Sequence, residues 1–373
     1  GGEFYIIEDE DELANTKLKG KFIAEKGGKV YYEDGLNVGG DEQDNEEESG
    51  EQNDEEESGF IGSPYNDGHG NPVSLIDMAV GPNSEVWVTT KKIKGENGEE
   101  PGIYRHKDGN WEFFGTPGGS YSESSGMVVD SKGTFYVTLS YKGLYSYKDG
   151  QWTHETKETI KLPHTFELGN SELFIDAKDT LLIKHPQAST SKKSYRVNIT
   201  DTGLLFDKEI NGIVPIDLLD NGAIVGNTIV YDINTGKQIF ASPSSGAQTS
   251  TMNVDPNGTY WLIDNYKHLY KRDSNSSSFD KVSDYFPKAS QESTVYKLVD
   301  MVFDSENNPV VAHVYLQSGS PNPDVGGLWT YKDDQWQQIE EYRDLHIQEM
   351  EKGKDGRLYI LTRDQGIIVT TLP

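Results

Sequence analysis

Histidine and carboxylate are the side chains in this chain with the most chemistry to offer. The 373 residues include eight His and 62 Asp or Glu but no Cys, which excludes disulfides, thiolate nucleophiles and Cys-ligated zinc. His164, His313 and His346 each adjoin a run of strand-forming residues, and Glu349 follows His346 closely. Neutral imidazole binds divalent metals and abstracts protons, and a carboxylate such as Glu292 or Glu349 beside it would complete such a site. His164, His313, His346 and Glu349 are therefore the catalytic candidates. They stand without a supporting motif: there is no His-x-Glu-x-x-His, no Gly-x-Ser-x-Gly nucleophile elbow, no phosphate loop and no dinucleotide fingerprint. A second set suits recognition. His69, Tyr141, Tyr266 and Tyr315, with Tyr121 and Tyr296, lie among Ser, Asn and Gly, where an aromatic ring offers a flat apolar face with a polar edge to a carbohydrate or peptide. Packing in the core is the plainer use of any one of these tyrosines.

Carboxylates are densest in residues 41–58, which hold 11 of them and no cation, repeating Asn-Glu-Glu-Glu-Ser-Gly as Asn-Asp-Glu-Glu-Glu-Ser-Gly. Like charges at this density resist packing, so the segment reads as a solvated linker. The sharper alternative is a low-affinity Ca²⁺ collector, although the Asp-x-Asp-x-Asp-Gly spacing of a calcium loop is missing. No resident cofactor is implied; Ca²⁺ or Mg²⁺ is the candidate divalent cation. The whole chain carries a formal charge of -28, with 34 Lys plus Arg against those 62 acids. Nucleic acid and anionic membranes are bound chiefly through cationic side chains, so neither is expected as a partner. No apolar run of about 18 residues spans a bilayer, and no basic-then-apolar leader opens the chain at Gly1, so any signal has been removed.

What positions these residues is a set of short β-segments. Glu85-Val86-Trp87-Val88-Thr89, Thr134-Phe135-Tyr136-Val137-Thr138 and Arg357-Leu358-Tyr359-Ile360-Leu361 are bounded by Gly, Asn or Asp, and helical periodicity is nearly absent outside 9–16 and 340–344. The segments repeat. Met127-Val128-Val129-Asp130-Ser131-Lys132-Gly133-Thr134-Phe135-Tyr136-Val137 places an apolar strand, an Asp/Gly turn and an aromatic strand in series, and 253–262 copies it closely. Looser copies occupy 80–87, 219–224, 302–311 and 354–360. The Asp of the turn accepts local N–H groups and Gly supplies the positive φ, which explains Asp130, Asp255, Asp304 and Asp355 as hairpin residues rather than metal loops. A second half-unit recurs as Gly102-Ile103-Tyr104 to Trp111, Gly143-Leu144-Tyr145 to Trp152 and Gly327-Leu328-Trp329 to Trp336, each with a Lys-Asp-Gly or Lys-Asp-Asp turn. The six tryptophans read as packing between units.

Together the halves make four strands, A to D, in units beginning near 73, 124, 164, 212, 249, 294 and 345. A period of about 40–50 residues with four antiparallel strands describes a β-propeller blade. The fold expected is all-β: a seven-bladed propeller whose last blade, lacking an outer strand at Pro373, is completed by the N-terminal segment. Within that segment some part of 3–38 is the expected donor, because Val30-Tyr31-Tyr32-Glu33-Asp34-Gly35 has the look of a blade hairpin. The organisation expected is 1–40 as closing strands, 41–60 as the acidic insert and 61–373 as the propeller, with 1–40 part of the same domain.

The strand A, Asp-x-x-Gly turn, aromatic strand B and Gly-Leu-Tyr/Trp pattern over 73–373 resembles the two-component-regulator type of propeller repeat. At lower resolution it is similar to the virginiamycin B lyase type of seven-bladed propeller. The first resemblance implies an extracytoplasmic ligand-sensing or partner-binding module, monomeric, taking a small molecule, carbohydrate or protein on its loop-rich face. The second implies metal-assisted proton abstraction at the central funnel. Propeller topology puts the B-to-C loops and D-to-A crossovers on one face. His69, His164 and His346 fall at strand A starts and His185, His268 and His313 at strand B ends, while His106 and His154 sit on outer strands. An enzyme requires several His and carboxylates converging within about 4 Å; a binding module requires only a broad aromatic and polar surface.

Overall fold

The computed structural model describes residues 24–26, 29–31, 59–163, 168–185, 193–241, 243, 248–284, 296–315 and 326–372. The chain divides into two units, Gly1–Glu55 and Glu56–Pro373. The first contains a hairpin of Ala24–Lys26 and Lys29–Tyr31. The acidic run 41–58 lies outside the described residues.

The second unit is a ring of seven four-stranded antiparallel sheets, each ordered A-B-C-D in sequence except the last. Blade 1 comprises Leu75–Val80, Val86–Thr90, Ile103–Lys107 and Asn110–Gly115; blade 2, Ser124–Val129, Phe135–Leu139, Gly143–Lys148 and Gln151–Glu155. Blade 3 has Glu172–Ile175, Thr180–Lys184, Lys193–Thr200 and Gly203–Asn211; blade 4, Pro215–Leu218, Ala223–Gly226, Ile229–Asp232 and Gln238–Ala241. Blade 5 has Thr249–Val254, Tyr260–Asp264, Leu269–Arg272 and Asp280–Ser283; blade 6, Tyr296–Phe303, Pro309–Tyr315, Gly327–Lys332 and Gln335–Gln338. The seven units read from the sequence are these seven blades.

The turns explain why the strands begin where they do. Asp130 Oδ1 accepts the N–H groups of Lys132 at 2.9 Å and Thr134 at 2.8 Å. Asp176, Asp255 and Asp304 repeat the pattern, each with the N–H groups two and four residues on. A carboxylate that satisfies two turn donors fixes the hairpin locally, so these aspartates are used up by the fold. The Lys-Asp-Gly half-motif is equally structural: Trp152 lies against Tyr147 at 5.1 Å and Trp336 against Tyr331 at 5.3 Å, cross-strand pairs of strands C and D. Between blades, Trp87 stacks on Phe135 at 4.3 Å with rings 3° from parallel, and Arg105 covers its other neighbour space at 5.2 Å.

Blade 7 joins Ile347–Lys352, Leu358–Thr362 and Gly366–Thr370 to an outer strand from the other end of the chain, Gly59–Gly62. Sequence reading placed the donor within 3–38; the strand that fills the position begins at Gly59, after the acidic run. Pairing through main-chain groups asks little of side chains, so four residues containing two Gly suffice. Ile61 adds an apolar anchor against a cluster that spans blades 7 and 1 and includes Leu75, Val88, Leu361 and Val369. Close approach sets one strict requirement. Gly366 has φ +83°, and a Cβ there would lie 2.3 Å from the backbone of Gly62. We expect Gly366→Ala to cost about 3 kcal/mol through strain and loss of this pairing, read as a lower urea midpoint. An unchanged midpoint would show that Gly59–Gly62 does not hold the ring.

Candidate functional site: the central channel and its loop-rich rim

The A strands are innermost, each packed against the A strand of a neighbouring blade, as with Leu75–Val80 on Ser124–Val129 and Ile347–Lys352 on Leu75–Val80. Pairing of strands A and B slips between Leu75 and Asp77, and again between Ser124 and Gly126, Pro215 and Asp217, Thr249 and Thr251, and Ile347 and Glu349. A bulge re-aims the side chain that follows it. Here the residues at or beside the slips include Asp77, Asp217 and Glu349. With Ser124, Glu172 and Phe174 they line one cavity of about 420 Å³. Side chains from blades 1, 2, 3, 4 and 7 can share a cavity only where the inner strands meet, at the axis. Gly126 occupies the corresponding position of blade 2 because a Cβ would lie 2.6 Å from the backbone N of Leu173.

The channel is acidic and dry enough to resist that charge. Burial raises Asp77 to about 7, against the pull of the Met78 N–H and Ser124, and the charge of Glu172 adds to the rise. Burial likewise takes Asp217 to about 6 and Glu351 to about 8. Asp300 is held well above the ordinary carboxylate range by burial and then by Asp217, and Glu349 by burial and then by Asp77 and Glu351. Each of these side chains is only partly exposed, so neighbouring protein replaces part of its water. Protons on such a set are shared among interacting groups, so the ring titrates as a unit.

The residues singled out in the sequence take several different places. Glu349 is in the channel wall. His346 is buried, with Nδ1 3.0 Å from Asp364 Oδ2 and Nε2 without a partner among the described residues. His313 is wholly buried inside blade 6, opposite Leu298 and Gly327, so it is part of a sheet rather than of a surface. His268 is tied by Nδ1 to Asp264 at 3.1 Å. His69 is exposed on a loop, its N–H held by Asp67 at 2.8 Å. Tyr141 is 86% and Tyr266 58% exposed, at the B-to-C turns of blades 2 and 5, and Tyr141 has φ +62°. A bulky residue in that conformation is uncommon and marks a turn shaped to present it. Tyr315 ends strand B of blade 6, its side chain outside the described residues, as are His164 and Glu292 altogether. Among the described residues no three His, Asp or Glu form a group able to hold a metal ion.

Asp77, Glu172, Asp217, Asp300 and Glu351 escaped sequence reading. A signal was present: Asp77, Glu172, Asp300 and Glu349 each lie four residues ahead of the A-to-B turn residue, at Gly81, Asp176, Asp304 and Gly353. Charge recurring at one register of an otherwise apolar strand A marks the side facing the axis.

No protein-family model matches the sequence, and no curated protein does. Solved structures do match. The extracellular domain of the one-component system BT4673 from B. thetaiotaomicron superposes with TM-score 0.54 at 12% identity, covering 83% of this chain, which spans only 39% of that one. Streptogramin B lyase gives TM-score 0.55 at 14% identity over 81% of this chain and 94% of its own. YCF48 bound to D1 peptide gives 0.56 at 13% identity over 86% and 96%. At such identities the likeness is one of fold. Both propeller types that the sequence resembles are thus represented among its structural neighbours.

The raised carboxyls predict an infrared signature. At about pH 6, where ordinary carboxylates are ionised, a protonated-carboxyl band should persist, fade by about pH 9, and shrink in Asp77→Asn and Glu351→Gln. Absence of the band at about pH 6 would mean that the channel is wetter than its geometry indicates.

Proposed function

We propose that this propeller is an extracytoplasmic binding module that receives a small molecule, carbohydrate or protein on its loop-rich face as a monomer. The observation that carries the reading is the pair Tyr141 and Tyr266. They project from equivalent B-to-C turns of two blades, on the face where the A strands start, and the cavity is lined from inner-strand residues such as Asp77, Ser124 and Glu172. Exposing large rings on turns costs solubility and earns no packing, whereas rigid aromatics are efficient anchors for a partner. The neighbours lend support of two kinds: one is the extracellular domain of a one-component system, and another was solved bound to a peptide. Among the described residues no helix is long and apolar enough to cross a membrane.

The competing reading, a metal-assisted lyase or hydrolase acting in the funnel, would have to draw on the channel carboxylates, which among the described residues form no three-ligand group. Two measurements separate them. Glycan and peptide arrays probed with the labelled protein should give a defined set of hits, lost by about tenfold or more in Tyr141→Ser/Tyr266→Ser. That variant should unfold within about 0.5 kcal/mol of the parent, since Tyr141 is almost wholly exposed and Tyr266, mostly in solvent, only brushes the His268 ring at 6.2 Å. Hits indifferent to the substitution would overturn the reading. Calorimetric titration with CaCl₂ or MgCl₂ that gives stoichiometric binding abolished by Glu349→Gln would favour the enzyme instead.

A further inference from the structure

Neighbouring inner blades are braced by hydrogen bonds of different kinds. Between blades 1 and 2, the hydroxyls of Thr89 and Ser124 are 2.6 Å apart; between 2 and 3, Thr138 Oγ1 donates to the Ser171 carbonyl at 2.6 Å. Between 5 and 6, Asn253 Nδ2 donates to the Met301 carbonyl at 2.7 Å; between 6 and 7, Lys352 Nζ donates to the Phe303 carbonyl at 3.0 Å. Carboxyls also bridge elsewhere, Asp179 accepting the Ser131 N–H at 2.7 Å between the A-to-B turns of blades 2 and 3, and Asp77 bonding Ser124 between blades 1 and 2. In neither case does a carboxyl cap a main-chain N–H of the neighbouring inner strand. Between blades 7 and 1 the acceptors are carboxyl oxygens: Glu349 Oε2 takes the Met78 N–H at 3.1 Å and Glu351 Oε2 takes the Val80 N–H at 2.9 Å. This joint adjoins the blade that closes the ring without a covalent link.

The charged groups facing the two glutamates are almost all acids. Asp77 comes from blade 1 and Asp300 from blade 6, while Asp220, after the inner strand of blade 4, acts on Glu351. Asp217 acts in turn on Asp300, and Glu172 of blade 3 on Asp77. Lys354 acts on Asp220, and Lys352 is engaged with blade 6. A neutral carboxyl can keep an N–H on one oxygen at no electrostatic cost. Once ionised, it gains a stronger acceptor but confronts the other acids in a space with little water.

We propose that the blade 7 to blade 1 joint is a proton-sensitive latch, tight while Glu349 and Glu351 are neutral and loosened when the channel carboxyls ionise, with the other blade interfaces left intact. The direction follows from linkage. Both glutamates favour the neutral form when folded, so the folded chain holds protons that the unfolded chain releases near pH 4. Their stabilising contribution is complete below that pH and is lost as pH rises through the folded value, about 8 for Glu351. The latch therefore tightens in mildly acidic surroundings and slackens in alkaline ones.

The test compares thermal unfolding of the full chain with that of Glu349→Gln/Glu351→Gln from about pH 5 to about pH 9 at fixed ionic strength. Gln keeps an acceptor oxygen for each N–H but cannot ionise. The parent midpoint should fall steadily from about pH 5 to about pH 8, where the folded chain holds protons the unfolded chain has released, and level off above. The variant should fall by less than half as much, and the two curves should cross so that the variant is the more stable near pH 9. Parallel curves overturn the proposal. Hydrogen exchange of the unmodified chain gives a second reading that needs no variant. After correction for intrinsic rates, peptides covering 75–80 and 347–352 should lose about tenfold more protection between about pH 6 and about pH 9 than peptides covering 249–254 and 298–303. Equal loss in all four overturns it.

Discussion

Closure of the ring is the constraint on which everything else in this protein depends. A stack of twisted four-stranded sheets satisfies its flanking faces only when every blade has two neighbours, and an open stack would leave two apolar sheet faces in water. Here closure is made by the main chain of Gly59–Gly62 along Gly366–Thr370, anchored by Ile61, and the missing side chain of Gly366 lets the two backbones approach. The cluster on which Ile61 rests runs through both blade 7 and blade 1, so the strand that completes the last sheet also secures the first.

Closing the ring creates the channel as a by-product, and the channel sets its own chemistry. Seven inner strands meet around an axis, and each leaves one edge of unpaired main-chain groups facing it. Some of these N–H groups are met by carboxyl oxygens, as at Met78 and Val80. Acids placed there satisfy donors but crowd one another, which is why Asp77, Asp300, Glu349 and Glu351 all resist ionisation. The rim works differently. Its tyrosines stand on turns and touch water, and the channel and the rim are thus two surfaces of distinct character on one scaffold.

Turn chemistry was the part of the fold most legible in the sequence, because Asp130, Asp255 and Asp304 act on N–H groups only two and four residues away. The closing strand was less so. Residues 30–35 look more like a blade hairpin than Gly59-Phe60-Ile61-Gly62 does, but edge pairing draws on main-chain groups that every residue has, and so leaves little trace in side-chain pattern. For the site, Tyr141 and Tyr266 could be placed at loops because a turn signal flanks each. His313 sits at the end of a strand in sequence, and only its surroundings show that it is buried within the sheet.

The sequence by itself determined the seven blades, the succession of strands in all but the last, and the face on which each loop emerges, since all three follow from alternation and turn residues that act over a few positions. Tertiary structure decided which residues meet at the axis. Asp77, Glu172, Asp217, Asp300, Glu349 and Glu351 are scattered over nearly the whole ring, and their mutual repulsion exists only because closure brings distant inner strands together and removes part of the water that would have screened them.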